Sequence, residues 1–199
     1  MLSLLENIGN YEIILASESP RRSELLKMIG LNFTVHPSHI EETYHNQLTP
    51  VEYALQNAKR KSAKVAEKYP ASLIISADTI VICEDEVLEK PEDERHAFDI
   101  LNKLNGRTHE VITAFGIGWK NSGVSIFDHE RTRVTFRSLT DDEIHAYIKT
   151  GEPFDKAGGY GAQGYGALLI ERVEGCYFNV VGLPLAKFYT MLKTFCTRN

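Results

Sequence analysis

Charged and hydroxyl side chains in this chain collect where apolar runs break. Arg21 and Arg22 follow Ser17 and Ser19; Asp78 and Thr79 interrupt an apolar run; Glu89 and Lys90 precede Pro91; Lys156 and Gln163 lie in a glycine-rich stretch. With Lys61 and Glu42 they form a set of cations beside a few carboxylates. Such cations offset negative charge that builds on a phosphate leaving group, and carboxylates bridge to phosphate oxygens through a divalent ion. The set suits hydrolysis of a triphosphate by water, with magnesium between carboxylate and phosphate. The other common routes lack their residues. No G-x-x-x-x-G-K-[ST] loop occurs, and no serine stands in a G-x-S-x-G elbow.

These residues need elements to hold them. The apolar run Tyr11 to Ala16 reads as a strand, and Ser23 to Ile29 as a helix that Gly30 closes. Ser19 suits the N-cap and Pro20 the first helical position, so Arg21 and Arg22 fall in the first turn. That end of a helix carries partial positive charge and unpaired N–H groups, so it repels cations and welcomes an anion. A bound anion would resolve the conflict; the plain alternative is two solvated surface arginines.

Farther on, Leu31 to Val35 reads as a short strand, and Thr49-Pro50-Val51-Glu52 as a capping box that opens a helix to about Lys68. On it Ala54, Ala58, Ser62 and Val65 share a face, and Lys61 lies only about 20° around from Ala54 at 100° per residue. Ser72 to Ala77 and Ile80 to Cys83 read as apolar strand with Asp78 between them. A carboxylate there is costly to bury without a partner; the plain alternative is an edge or bulge position that reaches water.

A helix starting at Lys90-Pro91 and running from Glu92 to Leu104 is expected next, then a long antiparallel pair, His109 to Trp119 and Val124 to Phe136. Thr140-Asp141-Asp142-Glu143 is a second capping box, for a helix to about Thr150. The glycine-rich stretch Gly151 to Gly166 follows, able to bring backbone N–H groups close to a ligand. Strands at Ala167 to Val173 and Tyr177 to Val181 and a helix from Pro184 to Phe195 complete the expected order.

Composition sets the class. At 199 residues and 43% hydrophobic content the chain suits one domain, or two lobes that share a sheet. A net charge of −5 argues against a nucleic-acid polymer as partner and for a small phosphorylated ligand. Cys83, Cys176 and Cys196 form no C-x-x-C pair, and the seven histidines show no metal-ligand spacing, so they read as surface or packing residues. The segment Met1 to Tyr11 does not read as a secretory signal, and no run has the length of a membrane span. A cytoplasmic protein with reduced thiols and no membrane contact is the expectation.

The motifs A-S-x-S-P-R-R at Ala16 to Arg22, A-D-T-I-V at Ala77 to Val81, E-K-P at Glu89 to Pro91, D-K-A-G-x-Y-G-x-Q-G at Asp155 to Gly164 and V-G-L-P at Val181 to Pro184 occur in order. Together they resemble the Maf family of nucleoside triphosphate pyrophosphatases across almost the whole chain. The resemblance implies an α/β fold like that of inosine triphosphate pyrophosphatases (Maf/Ham1-like): an elongated mixed β-sheet flanked by helices, two lobes and a central cleft, in a single domain over residues 1–199. It further implies a divalent metal, Mg2+ or Mn2+, a homodimer, and cleavage of a nucleoside triphosphate to the monophosphate and pyrophosphate.

By the same resemblance Asp78 is the proton acceptor, and Glu42 and Asp78 are the metal-side carboxylates, with Glu41 the alternative to Glu42. Ser17, Arg22, Lys61 and Lys90 are phosphate contacts, and Lys156 is a weaker candidate. Arg21, Thr79 and Gln163 resemble the branch acting on dTTP and UTP, with CTP and modified pyrimidine nucleotides as further substrates in a house-cleaning role. The branch acting on 7-methyl-GTP has tryptophan, glutamine and glutamate at those places. Two alternatives stay open: a pyrophosphatase for 7-methyl-GTP or modified purines, and a nucleotide-binding regulator of cell division or septum formation.

Overall fold

The apolar run Ile13-Ile14-Leu15 is buried along its whole length and forms β1 (Ile13–Leu15). In the computed structural model, which describes residues 8, 11–41 and 48–197, the order continues with α1 (Pro20–Met28), β2 (Thr34–Val35), α2 (Pro50–Lys68), β3 (Leu73–Cys83), β4 (Glu86–Leu88) and α3 (Glu94–Leu104). Then come β5 (Thr108–Trp119), β6 (Val124–Phe136), α4 (Asp141–Ile148), β7 (Ile170–Glu174), α5 (Tyr177–Val181) and α6 (Leu185–Thr197).

The strands form one seven-stranded sheet in the order β2-β1-β3-β5-β6-β7, with β4 paired to β3. β1 is parallel to both β2 and β3, with Leu15 opposite Val35 and Ile75, whereas β3–β4 and β6–β7 are antiparallel. The sheet is therefore mixed and the chain α/β, as expected. Crossovers through helices account for the parallel part, and the short turn at Lys120–Ser122 joins β5 to its neighbour β6.

Two compact units divide the chain: residues 1–78, 113–130 and 182–199 form the first, and 79–112 and 131–181 the second. In the first, β1 and β3 pack against α2 through Ile14, Ala16, Ile74, Val65 and Ala66. Ala54 and Ala58 are wholly buried, and the Ser76 hydroxyl donates to the Ala58 carbonyl at 2.8 Å, so small residues let this helix lie close on β3. The core of the second unit joins Val81, Leu101, Leu104, Phe136, Ile144 and Tyr160.

Helix starts follow their caps. Thr49 and Thr140 both form complete capping boxes, as their sequences require. Three expectations need correction. The helix expected from Lys90-Pro91 begins only at Glu94, because the Asp93 carboxylate takes His96 N–H at 2.7 Å and makes Asp93 the cap. The strand expected from Ala167 begins at Ile170, since Gly164–Leu169 is a 3-10 helix. Tyr177–Val181, expected as a strand, is helical. An apolar run of that length has no period to separate the two states. Buried Asn179 decides it: its backbone N–H bonds the Cys176 carbonyl and its amide donates to Val111 O at 2.9 Å and Thr132 Oγ1 at 3.0 Å.

Candidate functional site

In the first unit the turn after β1 is closed by its own side chains. Ser17 is buried, and its Oγ accepts from Ser19 N at 3.3 Å and from Arg22 Nη1 at 2.9 Å. Arg22 Nε donates to the Gly182 carbonyl at 3.0 Å. The two motifs A-S-x-S-P-R-R and V-G-L-P thus meet at one guanidinium. Arg22, only 9% exposed, is not the solvated surface residue of the plain alternative, and Arg21 beside it is half-buried. Ser19 and Pro20 take their expected places, although the Ser19 side chain makes no cap bond, and no acidic residue lies in the first turn.

Asp78 has the partner its position demands. Lys61 Nζ lies 2.6 Å from Asp78 Oδ1, and Asn57 Nδ2 donates to Oδ2 at 3.2 Å, with the two charged side chains 10% and 5% exposed. The edge or bulge reading is excluded, since Asp78 lies inside continuous β3 and is 3% exposed. Asn57 escaped the sequence reading. The signal was there: it stands one helical turn before Lys61, on the same face of α2.

Topology brings these two clusters to the same end of neighbouring strands. Leu15 is opposite Ile75, so the chain leaves β1 toward Ser17 as β3 continues toward Asp78, and Ala16 N bonds Ile75 O at 2.8 Å. β1 has β2 on one side and β3 on the other, each reached through a helix. The order of connection thus reverses at β1, and in open α/β sheets such a switch point is where ligands commonly bind.

In the second unit Lys90 and the glycine-rich stretch are neighbours. Gly158 N donates to the carbonyl of Glu89, next to Lys90, at 3.1 Å, and a Cβ on Gly158 would lie 2.9 Å from Val81 Cβ. Lys90 and Gln163 are exposed, and Thr79 is half-buried on β3. Lys156 is engaged inside its own loop, donating to the Glu152 carbonyl and to Asp155 Oδ1.

Beneath that loop His109 Nε2 and the Tyr160 hydroxyl are 2.6 Å apart. Burial pushes the imidazole down to about 4 and the phenol up, so both are neutral near pH 7. The packing role expected of the histidines holds for His109.

Glu42, the other metal-side candidate, lies outside the described residues, as does part of the loop around it. Among the described residues no group of three or more His, Cys, Asp or Glu could hold a metal by itself. The donor at hand is one buried carboxylate, Asp78. That fits a hard cation of the magnesium type, which keeps several waters and binds through one or two carboxylates plus substrate phosphates.

A family model described as Maf-like protein matches residues 12–195. The chain belongs to this family. A relative from Caldicellulosiruptor saccharolyticus, named dTTP/UTP pyrophosphatase, is 46% identical over 186 residues, covering 92% of this chain and 94% of its own. One from Koribacter versatilis, with the same name, is 48% identical over 181 residues, covering 91% and 93%. Among solved structures, the Staphylococcus aureus Ham1 protein matches 80% of this Maf-like chain and 79% of its own at 17% identity and a TM-score of 0.48. No helix among the described residues is long and apolar enough to cross a membrane.

Proposed function

We propose that this Maf-like chain is a nucleoside triphosphate pyrophosphatase that hydrolyses dTTP and UTP to the monophosphate and pyrophosphate, in the cytoplasm and as a homodimer. The observation that carries the reading is the buried Lys61–Asp78 pair on β3, just past the stretch that pairs with β1, and the closed Ser17–Arg22 turn that follows β1. The names of relatives with 46% and 48% identity support the reaction and the base.

In this reading Asp78 takes the proton of the attacking water. Asn57 and Lys61 hold its carboxylate in one orientation, each donating to a different oxygen. An ammonium carries three donors, so bonding Asp78 and bonding a phosphate oxygen are compatible in Lys61. Arg22, Ser17 and Lys90 bind phosphate oxygens. Arg22 is preorganised by Ser17 and Gly182, so little side-chain entropy remains to be lost on binding. Asp78 and Glu42 would hold Mg2+ or Mn2+, which supplies charge neutralisation at the phosphates. Arg21, Thr79 and Gln163 select the base; an amide offers the acceptor and donors that a uracil or thymine edge requires.

Turnover of dTTP, UTP, CTP and 7-methyl-GTP with Mg2+ or Mn2+, resolving pyrophosphate from orthophosphate, tests the reading. Pyrophosphate from dTTP and UTP is the expected result. Preference for 7-methyl-GTP overturns the assignment of Arg21, Thr79 and Gln163, and orthophosphate as first product overturns the reaction.

A further inference from the structure

Gln163 stands in extended backbone ahead of the 3-10 helix Gly164–Leu169, and its side chain makes no capping bond there. The first N–H groups of such a turn find no partner within it. Glu152 supplies partners from the far end of the loop. Tyr165 N donates to its Oε1 at 3.0 Å and Gly166 N to its Oε2 at 3.2 Å. Bonds to an ionised acceptor are stronger than bonds to a neutral one, and two of them fix direction as well as distance.

The surroundings admit little else. Gly164 has φ +64, and a Cβ there would lie 2.5 Å from Glu152 Oε1; a Cβ on Gly166 would lie 2.3 Å from the Gly161 carbonyl oxygen. On the other side Lys156 ties back to the Glu152 carbonyl, and its stem runs where a Cβ on Gly161 would come within 2.9 Å of Cε. Gly161 and Gly166 are thus pinned on either side of exposed Gln163.

We propose that Glu152 is a positioning residue for base selection: its carboxylate clamps the turn that carries Gln163 and so fixes where that amide meets the nucleobase. The proposal rests on the reading of Gln163 given above. Glu152 itself touches no nucleotide. Its loss should change discrimination between bases and leave the chemical step alone.

The test compares kcat/KM for dTTP, UTP and CTP in the intact protein, Glu152→Gln, Gln163→Ala and the double variant. Gln at 152 keeps the shape and one acceptor but loses the charge. It should lower selectivity for dTTP over CTP by roughly tenfold, through KM, with kcat nearly unchanged. In the Gln163→Ala background the same change should have no further effect on selectivity, because residues that act as a unit are not additive. Amide exchange at Tyr165 and Gly166 should quicken in Glu152→Gln without nucleotide present. Should that variant not accumulate as folded protein, Gly164→Ala carries the same expectations, since it forces a methyl group onto the clamp.

Equal losses for all nucleotides, or a selectivity change that adds in full to that of Gln163→Ala, overturns the role of Glu152. So does altered selectivity in Gln163→Ala beside unaltered selectivity in Glu152→Gln. Unaltered selectivity in Gln163→Ala, or no pyrimidine preference in the intact protein, overturns the reading of Gln163 instead. Absence of turnover removes both.

Discussion

The two units hold their candidate residues by opposite means. In the first, charges are buried and their own side chains are held directly: Asp78 by Lys61 and Asn57, Arg22 by Ser17 and the Gly182 carbonyl. In the second, Lys90 and Gln163 are exposed, and it is the backbone next to them that is held, through Gly158 N to Glu89 O and the Glu152 carboxylate on Tyr165 N and Gly166 N. Burial makes a charge expensive, so the first arrangement ties reactivity to stability. Exposure removes that coupling, so residues of the second kind can change with little effect on the fold.

The largest effect that tests this contrast is at Asp78. Asp78→Asn keeps an oxygen to accept from Lys61 and removes the proton acceptor. Turnover should fall by roughly 10²–10⁴-fold, with the melting curve showing a folded protein. Activity close to the original in a folded variant breaks the assignment.

Lys61→Met comes next, since it leaves Asp78 buried without its cation. Such a loss costs about 3–5 kcal/mol, measurable by urea unfolding. The same change at exposed Lys90 should alter stability by less than about 0.5 kcal/mol while still weakening substrate binding. Similar destabilisation at both lysines would erase the difference between the units.

The same contrast explains what could be read from the sequence. Asp78 announced itself because an aspartate between Ile75 and Ile80 conflicts with its apolar neighbours, and the conflict has one local remedy, a cation on the helix packed against the strand. Capping boxes at Thr49 and Thr140 were legible because their chemistry is complete within four residues. Glu152 was not legible. Its bonds to Tyr165 and Gly166 span 13 and 14 residues of glycine-rich chain, where no period or propensity reports closure. Tyr177–Val181 misled for a related reason: Asn179 finds its partners on β5 and β6, distant in sequence. Arg21 and Arg22 pointed to a bound anion; half of that conflict is met by the protein itself through Ser17 and Gly182.

His109 extends the rule of burial into the second unit, beneath the loop that carries exposed Gln163. Its imidazole is held down to about 4 by burial, against about 6.5 in the unfolded chain, and its Nδ1 has no hydrogen-bond partner among the described residues. The unfolded state therefore binds the proton more readily. This contribution is complete above about pH 6.5 and is lost as pH falls from there to about 4, amounting to about 3 kcal/mol. His109→Gln stays neutral throughout and can still bond Tyr160. Its stability deficit relative to the original should shrink as pH drops across that window; a deficit independent of pH would mean that His109 does not titrate as its burial requires.

The smallest expected effect is the sharpest control on the comparison, because it concerns an ion pair with the same kind of partners as Lys61 and Asp78. Arg107 Nη1 lies 2.9 Å from Glu84 Oε1, but the side chains are 51% and 64% exposed. Water already solvates both charges, so their attraction is screened and the entropy of two long side chains opposes it. Arg107→Gln should change stability by about 0–1 kcal/mol and vanish into the baseline at high salt. Comparable losses from Arg107→Gln and Lys61→Met would show that contact distance, not burial, sets the worth of a pair here. A loss confined to Lys61→Met leaves burial as the cause, and with it the reason why the carboxylate proposed to do the chemistry is also one the fold cannot readily give up.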